Sequence, residues 1–326
     1  MKQEPFCLLC GNSEARGVFY VRDINWLTEG DFCIVKCLSC GLVYMNPMPD
    51  EARLPEFYGR EYFQRSEACY LDKSLKKIIE RAFSGRLNLI QKYKKTGRVL
   101  DVGCGDGSFL KYLKREGYDV VGVDISESAV AAARNELGAS LCVQSALPEA
   151  GFASKSFDVI CFFEVLEHLY RPVDVLIEAR RILKDDGILV ISVPNFNSFE
   201  RILLGRLWNG IDAPRHLYHF DRDTLNKIVM RSGFSATRLL SDVASHEINA
   251  VKVNTGYSEG LRVFLRGFGF YPNRIIEKEK MIQAVTGKGR ILRVVLHLFE
   301  DLIFFPFFLI AKVFHRRPTL VLIAGK

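Results

Sequence analysis

Two groups of residues have types and spacings suited to chemistry, and a third looks built to bind. The first is Asp101-Val102-Gly103-Cys104-Gly105-Asp106-Gly107, preceded by apolar Val99-Leu100 and followed by Ser108-Phe109-Leu110-Lys111-Tyr112-Leu113. Three glycines in five positions let a ligand approach the backbone with no Cβ in the way, and they permit positive φ where a turn needs it. A helix starting at Ser108 would aim its unpaired N–H groups at the same spot, so this loop reads as a cofactor site. The second group is Cys7-Leu8-Leu9-Cys10-Gly11 with Cys37-Leu38-Ser39-Cys40-Gly41. Four thiolates on two such knuckles can surround a tetrahedral zinc ion, and a shell closed by cysteines makes that zinc structural. The third is Trp208-Asn209-Gly210-Ile211-Asp212-Ala213-Pro214-Arg215-His216-Leu217-Tyr218-His219-Phe220, an irregular polar and aromatic segment between apolar strands, as binding loops are.

The elements that must position these groups follow from periodicity. Val99–Val102 reads as a short buried strand, and Phe109, Leu110 and Leu113 recur at helical spacing. The next apolar strand, Asp119–Asp124, ends in an acid about 20 positions beyond the glycines, where a carboxylate can accept hydrogen bonds from ribose hydroxyls. Ser126 and Ser128 open a helix running to Leu137. Strands at 140–144, 157–163 and 187–193 alternate with a helix at 172–183. That rhythm predicts an α/β, doubly wound, mainly parallel sheet. Ligands bind such sheets at the carboxyl ends of the strands, which is where Asp101, Gly103, Asp124, Ser145 and Glu164 fall. Residues 70–95 form a helix with Leu75, Ile78, Ile79, Ala82 and Phe83 on one side and basic residues expected in solvent. A helix beginning at Asp221 or Arg222 and a sixth strand after Gly233-Phe234 complete the core.

At 326 residues and 48% hydrophobic composition, the chain has ample material for a packed core, which excludes a disordered or fibrous protein. A formal charge of +7 permits contact with phosphate, anionic lipid or nucleic acid and identifies none of them. Nine cysteines without a secretory leader pattern point to a reducing compartment, hence the cytoplasm. The expected organisation is a four-cysteine zinc-ribbon module at 1–45, a proline-marked linker at 46–69, the core at 70–243, a basic and apolar helical insertion at 244–317, and a final strand at 318–326. Within the insertion, Leu302–Ala311 is too short to span a bilayer. Residues 296–317 are therefore expected to lie on the inner face of a membrane, to meet a second copy, or to be buried.

At residues 99–107, Asp124, Phe157–Ile160 and Glu164-Val165-Leu166-Glu167-His168-Leu169, the chain resembles the class I S-adenosylmethionine-dependent methyltransferases. A nicotinamide-binding Rossmann domain would need glycine at 108, where serine stands. The resemblance implies a seven-stranded sheet whose last strand is antiparallel and lies beside the fifth. It also implies roles: Asp101 and the Gly103, Cys104, Gly105 and Gly107 loop around the methionine part, Asp124 on the ribose, and Ile125 on adenine. Ser145, Ala146 and Leu147 would line the adenine pocket, with Phe163 and Glu164 closing the methionine side. Pro214-Arg215-His216-Leu217 with His219-Phe220 resembles a subgroup of bacterial surface-polysaccharide and modified-sugar pathways, which often has an N-terminal cysteine-rich module. Methyl transfer to a hydroxyl needs a group that removes a proton. The candidates are His216 and His219, then His168 and Asp212. The function expected is O-methylation of a sugar, sugar nucleotide or lipid-linked glycan. The alternatives are an RNA methyltransferase, disfavoured because neither Asn/Asp-Pro-Pro-Tyr nor a relevant Pro-Cys is present, and a non-catalytic binding protein.

Overall fold

Apolar alternation along the strands of the core sends successive side chains into two different layers, and helices cover both. The computed structural model describes residues 6–23, 30–58, 73–138, 141–240 and 317–326. A small antiparallel sheet begins with β1 (Ala15–Val21), β2 (Phe32–Cys37) and β3 (Val43–Met45). Helix α1 (Lys73–Gln91) then leads into β4 (Arg98–Val102), α2 (Ser108–Arg115), β5 (Asp119–Asp124), α3 (Glu127–Leu137) and β6 (Cys142–Gln144). The order continues with β7 (Phe157–Phe163), α4 (Pro172–Ile182), β8 (Leu183–Pro194) and α5 (Phe199–Leu204). It closes with β9 (Tyr218–His219), α6 (Arg222–Arg231), β10 (Ala236–Leu240) and β11 (Thr319–Gly325).

The large sheet has seven strands in the order β10-β11-β8-β7-β4-β5-β6. Strands β4 to β8 run parallel, while β11 is antiparallel to both β8 and β10, so the last strand lies beside the fifth strand of the core. On one face Val99, Val120, Val159 and Val190 pack under Leu87 and Ile90 of α1, Phe109 and Leu113 of α2, and Val130 of α3. On the other, Leu100, Val121, Ile160 and Leu189 pack under Leu176 and Ile182 of α4 and Leu225 and Ile228 of α6. Burial on both faces explains why these strands are continuous apolar runs. Serine and aspartate caps start the helices as expected: Ser126 Oγ accepts from Ala129 N, and Asp221 with Thr224 forms a capping box on α6.

The small sheet does not end within the N-terminal residues. Its fourth strand is β9, which pairs with β3 through Val43 opposite His219 and Tyr44 opposite Tyr218. The polar segment at 208–220 is thereby stitched to the cysteine-bearing strands. Residues 46–58 also pack on the core, with the Tyr170 hydroxyl donating to Pro49 O at 3.1 Å. The rest of the expected linker, 59–69, and the expected insertion up to residue 316, including the membrane or dimer contact, lie outside the described residues. Among the described residues, no helix is long and apolar enough to cross a membrane.

Candidate functional site

Strands β4 and β5 run in register, Asp101 opposite Gly122 and Val102 opposite Val123, so their carboxyl ends finish level and the glycine loop folds over both. Gly103 N and Cys104 N donate to Val123 O at 2.8 and 3.2 Å, which pins the loop to β5. Gly105 N donates to one Asp124 oxygen and Ser126 N to the other, each at 2.9 Å. The three glycines differ in why they are glycines. A Cβ on Gly103 would lie 2.5 Å from Val165 Cγ2, and one on Gly107 2.8 Å from Leu137 Cδ1, whereas Gly105 at φ +55° has nothing within 4 Å. Two positions are therefore packed shut, and the middle one opens onto free space. Cys104 turns its side chain inward, into the gap left by the missing Cβ of Gly122.

Around that opening the other expected cofactor residues gather. Asp101 is buried, and burial pushes its carboxyl up to about 7, with nearby Arg86 opposing and Asp124 adding to the shift. Burial also raises Asp124, against the backbone N–H groups of Ser126, Gly105 and Ile125. Ile125 is 61% exposed at the lip. Ser145 N donates to Asp124 O at 3.0 Å, bringing Ser145 and Ala146 to the end of β5 with Leu147 buried beneath. Phe163 ends β7, packed edge-on to Phe109. Glu164 takes φ +60°, with its N donating to Ser192 O at 2.9 Å and its Oε1 accepting from Ser192 Oγ at 3.3 Å. A left-handed non-glycine residue is a strained backbone of the kind found at functional sites.

The acceptor-side candidates also converge. After Glu164, a short turn at Leu166–His168 faces the 208–220 segment. His168 Nδ1 donates to Arg215 O at 3.0 Å, and the Tyr58 hydroxyl lies 2.9 Å from the same nitrogen. His216 Nδ1 donates to Gly210 O at 2.9 Å, while its Nε2 stands 3.8 Å from Asp212 Oδ2 and 3.9 Å from Glu167 Oε1. The rings of His168 and His216 meet edge to face with centroids 4.6 Å apart. His219 sits 6.4 Å from His216, ring to ring, and burial lowers its pKa to about 4, so it is neutral near pH 7. Its Nε2 has no hydrogen-bond partner among the described residues.

The four cysteine sulfurs of the N-terminal knuckles lie within 4.8 Å of one another, with Cys7 and Cys40 at 3.4 Å and Cys10 and Cys37 at 3.5 Å. Gly11 N and Gly41 N close the two turns onto Cys7 O and Cys37 O. Burial raises Cys7, while hydrogen bonds from the Asn12 backbone and the neighbouring thiols overcome burial at Cys10 and bring it to about 7.

Several residues at the site carry no local pattern that marks them. The expectation that the basic residues of the first helix face solvent fails at Arg86, whose guanidinium lies 4.3 Å from the Phe163 ring centroid and 5.3 Å from that of Phe109. Asp23 grips Arg215 with two hydrogen bonds of 3.0 and 2.8 Å, and Arg215 also donates to Asp212 Oδ1 at 2.9 Å. Of these, Arg86 alone has a signal in the chain, a basic residue one turn from the apolar stripe; Asp23 and Tyr58 have none.

Comparison with known proteins follows the same lines. Residues 70–239 match a family described as a methyltransferase domain. A ubiquinone biosynthesis O-methyltransferase of Roseobacter denitrificans is 33% identical over 155 residues, 42% of this chain and 62% of that protein. A Mycobacterium tuberculosis protein named a probable S-adenosylmethionine-dependent methyltransferase is 30% identical over 139 residues, 42% of this chain and 48% of its own. The chain thus spans less than two-thirds of the length of either relative. Among solved structures, Haemonchus contortus phospholethanolamine N-methyltransferase 2, in complex with phosphomonomethylethanolamine and S-adenosylhomocysteine, superposes with a TM-score of 0.52 at 18% identity. That match covers 93% of this chain and 64% of that one, and it is a likeness of fold.

Proposed function

The chain belongs to the methyltransferase-domain family of class I S-adenosylmethionine-dependent enzymes, and on that premise we propose that it methylates a hydroxyl group of a sugar, sugar nucleotide or lipid-linked glycan. The observation that carries this reading is the meeting of two sets of residues at one rim. The open position at Gly105 is hydrogen-bonded to Asp124 at the carboxyl end of β5, with β4 and its Asp101 between β5 and the β7 that leads to Glu164. Val165, whose side chain fills the place of a Gly103 Cβ, is followed by Glu167 and His168, which cluster with His216. S-adenosylmethionine would supply an electrophilic methyl group on a sulfonium that needs no further activation. The residues present fit it. Asp101 and Arg86 offer opposite charges to a zwitterionic amino-acid end, Asp124 offers acceptor oxygens to ribose hydroxyls, and Ile125 offers an exposed apolar side chain to adenine. His168 and His216, whose Nδ1 atoms are held by Arg215 O and Gly210 O, keep Nε2 as the ring nitrogen that can take the acceptor's proton. The four cysteines suit a structural zinc, which would hold the N-terminal turns beside β9.

The hydroxyl as acceptor atom is supported by the O-methyltransferase relative, and the sugar class by the resemblance of residues 214–220. A screen with labelled donor against nucleotide sugars, lipid-linked glycans, phenols and RNA tests it. Label is expected in the carbohydrate fractions. Label confined to phenols or to RNA overturns the sugar reading, and absence of S-adenosylhomocysteine binding removes the catalytic one.

Asp101 makes a further test. Between the unfolded carboxylate value of about 3.9 and the folded value of about 7, the folded state holds a proton that the unfolded state has lost. Ligand-free stability contributed by this group is therefore full below that window and falls as pH rises through it. An ammonium group beside Asp101 favours the ionised form, so S-adenosylhomocysteine should bind with proton release, and more tightly as pH climbs toward 7. Calorimetry in two buffers of different ionisation enthalpy measures that release. Asp101→Asn is expected to abolish it, and an unchanged proton count in the variant would assign the effect elsewhere.

A further inference from the structure

The two histidines of the acceptor side are oriented in a way that proton transfer alone does not require. Backbone carbonyls only accept hydrogen bonds, so the Nδ1 atoms that meet Gly210 O at 2.9 Å and Arg215 O at 3.0 Å carry hydrogens. In its neutral form each ring therefore presents an Nε2 lone pair. In His216 that lone pair faces carboxylate oxygens of Asp212 at 3.8 Å and Glu167 at 3.9 Å, in a place where His216 and Glu167 are each 1% exposed. Three acceptors converging in a buried site favour a cation between them. A proton shared directly needs donor and acceptor about 2.7–3.2 Å apart, which these distances exceed. Two ligand atoms each about 2.1 Å from one ion can lie up to about 4.2 Å apart, which the 3.9 Å between His216 Nε2 and Glu167 Oε1 satisfies. Glu167, His168 and His216 each place a ligand atom within 4.8 Å of the others.

We propose that Glu167, His168 and His216 form a second metal site, distinct from the four cysteines, for a divalent first-row transition ion. Two imidazoles and one carboxylate suit zinc, cobalt or iron; magnesium prefers oxygen ligands and several waters. The surrounding groups are those that orient ligating histidines. Gly210 O and Arg215 O hold the two Nδ1–H groups, the Tyr58 hydroxyl lies against His168, and Asp23 fixes Arg215. Three protein ligands leave a position open, as catalytic sites do. Val165, two residues before Glu167, fills the place of a Gly103 Cβ, so the turn that carries the cluster starts at the glycine loop. The ligand taken there is the oxygen of an acceptor hydroxyl. Its O–H bond breaks with the proton passing to water, because the Nε2 lone pairs of His168 and His216 that would take it in a metal-free site are bound to the ion, and the oxygen gains the methyl group as the S–CH3 bond breaks. The ion lowers the cost of the first step by binding the alkoxide. This inference rests on reading the cluster as the acceptor side.

The test loads the full chain with Co2+ in the presence of S-adenosylhomocysteine and combines elemental analysis with visible spectroscopy. Two equivalents are expected, one with intense thiolate charge-transfer bands and one with only weak d–d bands. Glu167→Gln and His216→Ala should each weaken the second equivalent by more than the ~10–100-fold typical of outer-shell changes, leaving the thiolate bands and S-adenosylhomocysteine binding in place. Glu167→Gln keeps the size of the side chain and decides the matter if His216→Ala does not fold. A single equivalent with only the thiolate spectrum, or variants that keep both, overturns the second site. Hydroxyl methylation by a chain that holds only the thiolate-bound ion would overturn the metal while leaving the proposed activity standing.

Discussion

Replacing Arg215 with methionine is expected to destabilise the protein by about 3–5 kcal/mol, the range for removing one partner of a buried ion pair. The Arg215 side chain is fully buried; its guanidinium meets both oxygens of Asp23, which is 1% exposed at the side chain, and one oxygen of Asp212, which is 14% exposed. Methionine fills much of the same volume, so the loss is mainly electrostatic: two carboxylates stay out of water without their guanidinium. Asp23→Asn should cost less, because Arg215 keeps Asp212 and the amide oxygen can still accept one hydrogen bond. The comparison is made by urea denaturation, reading the midpoint with the slope unchanged. A loss below about 1 kcal/mol for Arg215→Met, the value of an exposed pair, would mean that water reaches the pair. The pair also joins residues 192 positions apart, one preceding β2 and one in the 208–220 segment, so its loss should loosen His168 and His216 along with the small sheet.

Gly105→Ala and Gly103→Ala should separate binding from folding. Both positions have positive φ, +55° and +70°, so each alanine meets the left-handed cost of roughly 1–2 kcal/mol. At Gly103 the added Cβ also falls 2.5 Å from Val165 Cγ2, so the loop or the turn behind it must move. At Gly105 nothing lies within 4 Å, so the methyl group meets no atom of the fold and instead projects into the opening where the cofactor would pass. Gly105→Ala is therefore expected to lower thermal stability by no more than the backbone cost while weakening S-adenosylhomocysteine by ~100-fold, about 2.7 kcal/mol. Gly103→Ala should lower stability further and weaken binding as well. Calorimetry and thermal scans on the two variants check this, and equal binding losses with equal stability losses would show that Gly105 does not face the ligand.

The features legible in the chain were those written over short distances. Alternation and helical spacing identified the strands and helices of the core, because a side chain's layer follows from its place in a local repeat. The glycine loop, the acid at Asp124, the cap at Ser126 and the two cysteine knuckles each depend on residues a few positions apart or on one turn's conformation. Their chemistry is visible before any folding is considered. The resemblance that located Glu164, His168 and residues 214–220 drew on the same local strings.

What only the tertiary structure decided is whatever depends on distant segments meeting or on how much water remains. No pattern within residues 208–220 announces that Tyr218 and His219 complete the N-terminal sheet, or that Tyr58 reaches His168. Arg86 looks like any basic residue of an amphipathic helix until the end of β7 places Phe163 beneath it. The shift of Asp101 to about 7 and of His219 to about 4 comes from desolvation, a sum over every atom packed around them, so it cannot be read from neighbours in the chain. The same holds for the orientation of His168 and His216. Residue type says that an imidazole can bind a proton or a metal, and only the carbonyls it meets in the folded chain determine which nitrogen is left to do so.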